Sequence, residues 1–291
     1  MELSKGPRVR FSPFYERAVE AGIRVATVYN RTVLPVSTDN PKADYEALTE
    51  HVAIWDVGCQ RQVQIHGPDA LKLCRYMSAR DLSQLKIGVA KYAPLCDHEG
   101  RLINDPVVLR VDEETIWLSI ADSDILLWAR AIAGEGDYDV EITDPDVSPL
   151  AVQGPKAPAL IAQVFGDWTE ELKFFHFRRI THQGIPLVIC RSGWSKQGGF
   201  ELFLEDSDKG ADLWDLIWNA GKDLGIRPGG PNNVERMENF LCSWGSDADP
   251  ECDPFQSAIG QYVDLGVEHD FIGKEALIAK RVEGPTRELK G

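Results

Sequence analysis

Two stretches of the chain carry apolar residues at helical spacing. After His66-Gly67, with Pro68 in a first-turn position, Ala70, Leu71, Leu73, Cys74 and Met77 recur every third or fourth residue. Further on, Leu213, Trp214, Leu216, Ile217 and Trp218 form a second stripe, with Gly221 just beyond it as a C-cap. Between them the pattern turns to β-branched and aromatic residues. Val107-Val-Leu-Arg-Val111 and Thr115 to Ile120 flank Asp112-Glu-Glu114, which predicts a hairpin. A second hairpin is expected from Tyr92, through the Asp97-His-Glu-Gly100 turn, to a polar pair, Asn104-Asp105, before Pro106. Residues 227–233, rich in Pro, Gly and Asn, read as a loop leading into a helix that starts near Val234, and Asp247 to Phe255 as an irregular acidic loop. Helix and strand signals alternate irregularly and show no short-period repeat, so the expected class is α+β and not a regular βαβ array.

Composition narrows the function. Eight Trp, eleven Phe and seven Tyr spread along 291 residues exclude a disordered chain. With 31 Lys and Arg against 46 Asp and Glu, the net charge of −15 argues against nucleic acid and against an anionic membrane surface as partners. It leaves room for a small anionic ligand, which needs only a few local cations. No apolar run approaches the roughly 18 residues of a membrane span, and no apolar segment follows the basic N-terminus. The six cysteines never form CxxC and the six histidines never form HExxH, so reduced thiols, a cytoplasmic setting and no metal site are expected.

Three stretches hold candidate chemistry. In Ser192-Gly-Trp-Ser-Lys-Gln-Gly-Gly-Phe-Glu201-Leu-Phe-Leu204, the glycines permit unusual backbone or close ligand approach. Strand alternation there sets Glu201 on one face and Phe200, Leu202 and Leu204 on the other. Either Glu201 accepts paired N–H bonds from a planar amino-heterocycle, or the run is a glycine-rich turn with an exposed Glu. The Tyr92–Asp105 hairpin either presents its polar end to a ligand or to solvent. In Asn233-Val-Glu-Arg-Met-Glu238, Arg236 shares a helix face with Asn239 but not with Glu235, and the segment reads as either salt-bridged surface or a site.

The series Trp55-Asp-Val57, Tyr92…Gly100…Asn104-Asp105, Val152-Gln-Gly-Pro155, Gly193–Leu202, Arg236-x-Glu238 and Phe271-Ile-Gly-Lys-Glu-Ala276 resembles the T-protein (aminomethyltransferase) family of the glycine cleavage system, from about residue 12 onward. Within it, Thr27-Val-Tyr-Asn30, His51-Val-x-Ile-Trp-Asp-Val57, Arg61-Gln-Val63, Ile120-Ala-Asp-Ser-Asp124, Leu172-Lys-Phe-Phe175 and Gly193-Trp-Ser-Lys-Gln-Gly-Gly-Phe-Glu201 resemble the dimethylsulfoniopropionate (DMSP) demethylase subfamily. The resemblance implies two interlocked α+β subdomains around a central channel over residues 1–282, followed by a C-terminal β-barrel. The chain stops at residues 283–291, about where that barrel begins, and is expected to be a fragment.

For the site, the resemblance implies tetrahydrofolate as cofactor, with Glu201 gripping the pterin and Tyr92, Phe203, Phe175 and Arg236 as further cofactor contacts. Arg236 would face a carboxylate, on the folate tail or on the substrate, or else pair with a Glu of its own chain. Trp194 and Tyr29 are expected to line a small-molecule sulfonium substrate, and Asp105 with Asn104 to be catalytic. T-proteins carry Asp-Asp where Asn104-Asp105 stands, so aminomethyl chemistry is disfavoured here and in-line methyl transfer to folate, giving methylmercaptopropionate, is expected. The alternatives are demethylation of dimethylglycine or a methoxy group, and folate binding without turnover. The non-catalytic relatives carry a KGCYxGQE pattern whose Cys is missing from Lys196-Gln-Gly-Gly-Phe-Glu201. A homodimer is left open.

Overall fold

The computed structural model describes residues 6, 8–287 and 289. It divides into two compact units, each assembled from two separated stretches of chain. The first combines the chain up to Arg61 with Asp146–Leu241, and the second combines Gln62–Pro145 with the chain from Cys242. Both are mixed helix and sheet, the α+β class that the sequence predicts.

The first unit contains α1 (Tyr15–Glu20), β1 (Val25–Tyr29), β2 (Thr32–Ser37), α2 (Pro41–Glu50) and β3 (Val52–Asp56). Its second stretch contributes β11 (Ser148–Gln153), α5 (Ala157–Phe165), β12 (Phe177–His182), β13 (Ile185–Cys190), β14 (Gly199–Leu204), α6 (Gly210–Gly221), β15 (Ile226–Gly229) and α7 (Asn233–Glu238). β1 and β2 form a separate hairpin, and a six-stranded sheet runs in the order β12-β13-β14-β11-β3-β15. Strand alternation sorts this sheet into two faces. Val52, Ile54, Leu150, Val152, Leu187, Ile189, Phe200, Leu202 and Leu204 join a core with Leu160 and Ile161 of α5 and Leu213, Trp214 and Ile217 of α6. The opposite parity holds Ala53, Trp55 and Ala151, packed with Leu48 of α2, together with Gln153, Glu201 and Phe203.

The second unit contains β4 (Gln62–His66), α3 (Ala70–Met77), β5 (Ala90–Tyr92), β6 (Leu95–Cys96), β7 (Leu102–Asn104), β8 (Val107–Arg110), β9 (Thr115–Ser119), α4 (Ile125–Glu135), β10 (Glu141–Thr143) and α8 (Lys274–Glu283). A five-stranded antiparallel sheet runs β10-β4-β9-β8-β5, and β6 pairs with β7. Both predicted hairpins are present. The residues 242–277 add a small cluster in which Trp244, Ile259, Val263, Phe271 and Leu277 pack on Cys96 and Leu102.

Three details differ from the sequence reading. Asp69 occupies the N-cap position of helix α3, so Pro68 precedes that position and does not occupy the first turn. Gly221 is the last residue of α6 with ordinary helical backbone, and a Cβ there would meet Ile226 at 2.8 Å. Its small size serves packing, and the left-handed stop comes four residues later at Gly225, φ 78°. Residues 227–229, expected within a loop, belong to β15, which runs parallel to β3. Edge position explains this: an edge strand tolerates Pro228, which has no N–H to give to the ladder. No helix among the described residues is long and apolar enough to cross a membrane.

Candidate active site

In the first unit, the Gly193–Gly199 turn closes over a buried glutamine. Gln153 ends β11 and is fully buried; its Nε2 donates to the Ser192 carbonyl at 3.1 Å and the Phe200 carbonyl at 3.3 Å. Its Oε1 accepts from Ser195 Oγ at 2.8 Å. A Cβ on Gly193 (φ 152°) would fall 2.1 Å from that amide, and one on Gly199 (φ 145°) only 2.4 Å from the Val152 carbonyl. The glycines are therefore required by close approach of backbone to the Gln153 side chain. Two motifs about forty residues apart in sequence are one structural device.

Glu201 lies in the middle of β14, opposite Ala151 on one side and Cys190 on the other. It is 7% exposed, which rules out the exposed-turn reading. Ser192 Oγ donates to Glu201 Oε2 at 2.5 Å. Burial raises the Glu201 carboxyl above its ordinary value, and the Ser192 bond partly offsets this. One hydroxyl uses only a fraction of a carboxylate's acceptor capacity, so Glu201 keeps room for a planar pair of N–H donors.

The other expected residues of this unit fall around that device. Trp194 follows Gly193, and the Arg236 guanidinium lies 5.7 Å from the Trp194 ring centroid. Arg236 is buried on α7, with Nε donating to Asn233 Oδ1 at 3.2 Å. Asn239, which helical spacing set beside Arg236, instead donates to Glu235 Oε1 at 3.0 Å. Phe203 shares the face of Glu201 but is 1% exposed, so as a ligand contact it offers almost no surface. It supports the face from within. Phe175 has a left-handed backbone, φ 59°, and its ring lies 4.2 Å from that of Phe174. Phe174, 62% exposed, is the aromatic that lines a pocket of about 300 Å³ with Arg191, Gln153 and Gly193. The aromatic contact expected of Phe175 thus passes to its neighbour, and Phe175 backs it. Tyr29 ends β1 in the separate β1–β2 hairpin and not in the sheet that holds Glu201.

In the second unit, Tyr92 Oη donates to Asp105 Oδ2 at 2.7 Å, and the Tyr262 ring meets Tyr92 edge-on at 4.8 Å. Burial pushes the Asp105 carboxyl up to about 7, against the lowering effect of the Tyr92 hydroxyl. Burial, and then the charge of Asp105, hold the Tyr92 phenol well above its ordinary value, so Tyr92 remains a donor at neutral pH. Asn104 is fully buried and occupied: Nδ2 donates to the Ala121 carbonyl and Ser123 Oγ, and Oδ1 accepts from the Ala121 amide. Its amide ties β7 to residues 121–123, and both of its polar atoms are taken up there.

Sequence reasoning missed Ser192, Gln153, Phe174 and Glu235. Gln153 had a signal, since it sits inside the Val152-Gln-Gly-Pro155 motif; Glu235 lies in the candidate Asn233–Glu238 stretch, but nothing in the sequence tells this buried acid from the exposed Glu238.

Comparison with known proteins agrees with this geometry. The sequence matches the GCVT N-terminal domain family over residues 16–266. It is 45% identical to the dimethylsulfoniopropionate demethylase DmdA of Ruegeria pomeroyi, over 97% of this chain and 77% of that protein. It is 33% identical to an aminomethyltransferase of Clostridium botulinum strain Okra, over 85% of this chain and 68% of that one. The fold is that of the glycine cleavage system aminomethyltransferase T from Bartonella henselae, with a TM-score of 0.85 at 22% identity over 96% of this chain and 76% of that chain. The chain belongs to the GCVT N-terminal domain family.

Proposed function

We propose that the chain is a cytoplasmic, tetrahydrofolate-dependent methyltransferase that demethylates DMSP. The likeness to the Ruegeria pomeroyi demethylase along nearly the whole chain carries the choice of substrate. The choice of folate rests on fit: a buried carboxylate, Glu201, whose one hydrogen bond from Ser192 leaves acceptor capacity for the paired N–H groups of an aminopteridine. Its scattered cysteines support the cytoplasmic setting.

Bound tetrahydrofolate supplies a ring nitrogen whose lone pair takes the methyl group. The carbon–sulfur bond breaks with its electron pair on sulfur, so a cationic sulfonium leaves as the neutral thioether methylmercaptopropionate. The protein's own work is alignment and exclusion of water. Glu201 grips the pterin, and Phe174, backed by Phe175, offers an aromatic wall. Trp194 takes the sulfonium on its ring face. Charge leaves sulfur as the methyl moves, so an aromatic face, worth roughly 0.5–2 kcal/mol, costs the reaction less than a tight carboxylate would. Arg236, beside Trp194, suits the propionate carboxylate. Asp105, with its carboxyl near 7 and held in place by the Tyr92 hydroxyl, is suited to accept a proton at neutral pH.

Mass spectrometry of products tests this. With DMSP and tetrahydrofolate, 5-methyltetrahydrofolate and methylmercaptopropionate are expected; with dimethylglycine in place of DMSP, neither is. Methylenetetrahydrofolate from dimethylglycine or a glycine-derived aminomethyl donor would place the chain with the aminomethyltransferases instead.

A further inference from the structure

Helix α7 carries a carboxylate that neither packing nor surface charge explains. Glu235 is 1% exposed, although its neighbours Val234 and Met237 are 58% and 56% exposed. Three donors converge on its Oε1: the Lys196 backbone N–H at 2.8 Å, Asn239 Nδ2 at 3.0 Å and Gln197 Nε2 at 3.2 Å. Its Oε2 is buried and has no hydrogen-bond partner among the described residues. A buried carboxylate with one oxygen unmatched is costly, and an aliphatic side chain would fill the same space without that cost.

What the acid does is visible in what it joins. Lys196 and Gln197 belong to the turn that carries Trp194, and Glu235 precedes Arg236 on α7. The turn is pinned from below by Ser195 on Gln153, and from the side by Lys196 and Gln197 on Glu235. The helix end is fixed in turn by Asn232, whose Oδ1 accepts from the amides of Val234 and Glu235, each at 3.0 Å. The 5.7 Å spacing of the Trp194 ring and the Arg236 guanidinium is thus bridged by one acceptor oxygen.

We propose that Glu235 is a positioning residue that locks the Lys196–Gln197 turn to α7 and so sets the spacing between the Trp194 ring and the Arg236 guanidinium. Its consequence for turnover rests on the reading of those two groups as the sulfonium and carboxylate contacts. Contacts that hold substrate equally in the ground and transition states act on KM and leave kcat alone.

The test uses protein labelled with 5-fluorotryptophan, the Trp194 fluorine line being assigned by its loss in Trp194→Phe. Glu235→Ala is expected to move or broaden that line and to raise KM for DMSP about 10-fold, with kcat within about 2-fold. Should that variant not fold, Glu235→Met, of similar volume and without an acceptor, replaces it. Glu235→Gln is expected to restore both: its amide oxygen meets the three donors, so the line stays in place and KM stays within about 3-fold. A purely structural role would lower the melting temperature and the active fraction, leaving KM and the Trp194 line of the folded protein as they were. An unmoved line with unchanged KM in Glu235→Ala overturns the proposal, and so does a Gln variant that behaves as Ala does. If the wild-type protein left DMSP untouched, the fluorine spectra would still decide the role of Glu235, and the substrate reading would fall separately.

Discussion

A carboxylate buried without a cation has its titration moved upward, and this chain has three such groups at informative places. Asp56 accepts from Ser12 Oγ and the Gly58 amide, and burial raises its carboxyl from 3.8 to about 6. A folded value above the unfolded one means the folded state binds more protons between the two. That stabilising effect is complete below about pH 4 and is lost as pH rises through about 6. Asn at this position accepts from the Gly58 amide through its oxygen and donates its N–H to Ser12 Oγ, the second bond reversed, without the charge. Asp56→Asn is therefore expected to be more stable than wild type at pH 8 by about 1–3 kcal/mol, with the difference shrinking toward pH 4, as urea melts at the two pH values will show. Asp105 moves the same way, and under the proposed mechanism the shift bears on turnover. As the proton acceptor it must be ionised, so kcat should rise with pH through a limb near 7. Asp105→Asn, which keeps the Tyr92 bond, should lose that limb and about 100-fold in kcat. Glu201→Gln replaces an acceptor by an N–H that opposes the pterin's own donors, and tetrahydrofolate affinity measured by tryptophan quenching should fall about 100-fold.

At the level of elements, the glycine-rich turn is where sequence and structure meet most closely. Its glycines were legible as a site of unusual backbone, but their reason was not, because it lies in Gln153, on another strand. Two glycines of one turn should then differ sharply. Gly193→Ala drives a Cβ into a glutamine amide that is itself held on three sides, and should cost about 2–4 kcal/mol of stability together with most of the activity. Gly198→Ala, at φ 80° with nothing within 4 Å of its Cβ, should cost only the backbone strain, about 1 kcal/mol. Thermal melts of the two variants separate the readings. Period and turn chemistry also revealed the two hairpins of the second unit and the buried stripe of α3, since those signals are local. They missed β15, because Pro-Gly-Gly-Pro looks the same in a loop as on a sheet edge, and they misassigned Gly221, whose smallness answers to Ile226 across the fold.

For the whole molecule, the α+β class was readable from irregular alternation, while the division into two units was not readable from periodicity. Each unit draws on two stretches, with the chain crossing at Arg61, Pro145 and Leu241 without a linker composition to mark the crossings. Glu201, Trp194 and Arg236 belong to the first unit, and Tyr92 and Asp105 to the second. Among the residues that the resemblance names, Asn104 and Phe203 are buried, while Phe174, which it does not name as a contact, lines the pocket at Gly193. Direct methyl transfer from the sulfonium to folate is tested by a single turnover with DMSP whose S-methyl groups are fully deuterated, read by mass spectrometry. Direct transfer predicts 5-methyltetrahydrofolate that carries the intact trideuterated methyl, formed in step with methylmercaptopropionate. Deuterium lost from the folate product, or thioether formed with no labelled folate, would contradict it.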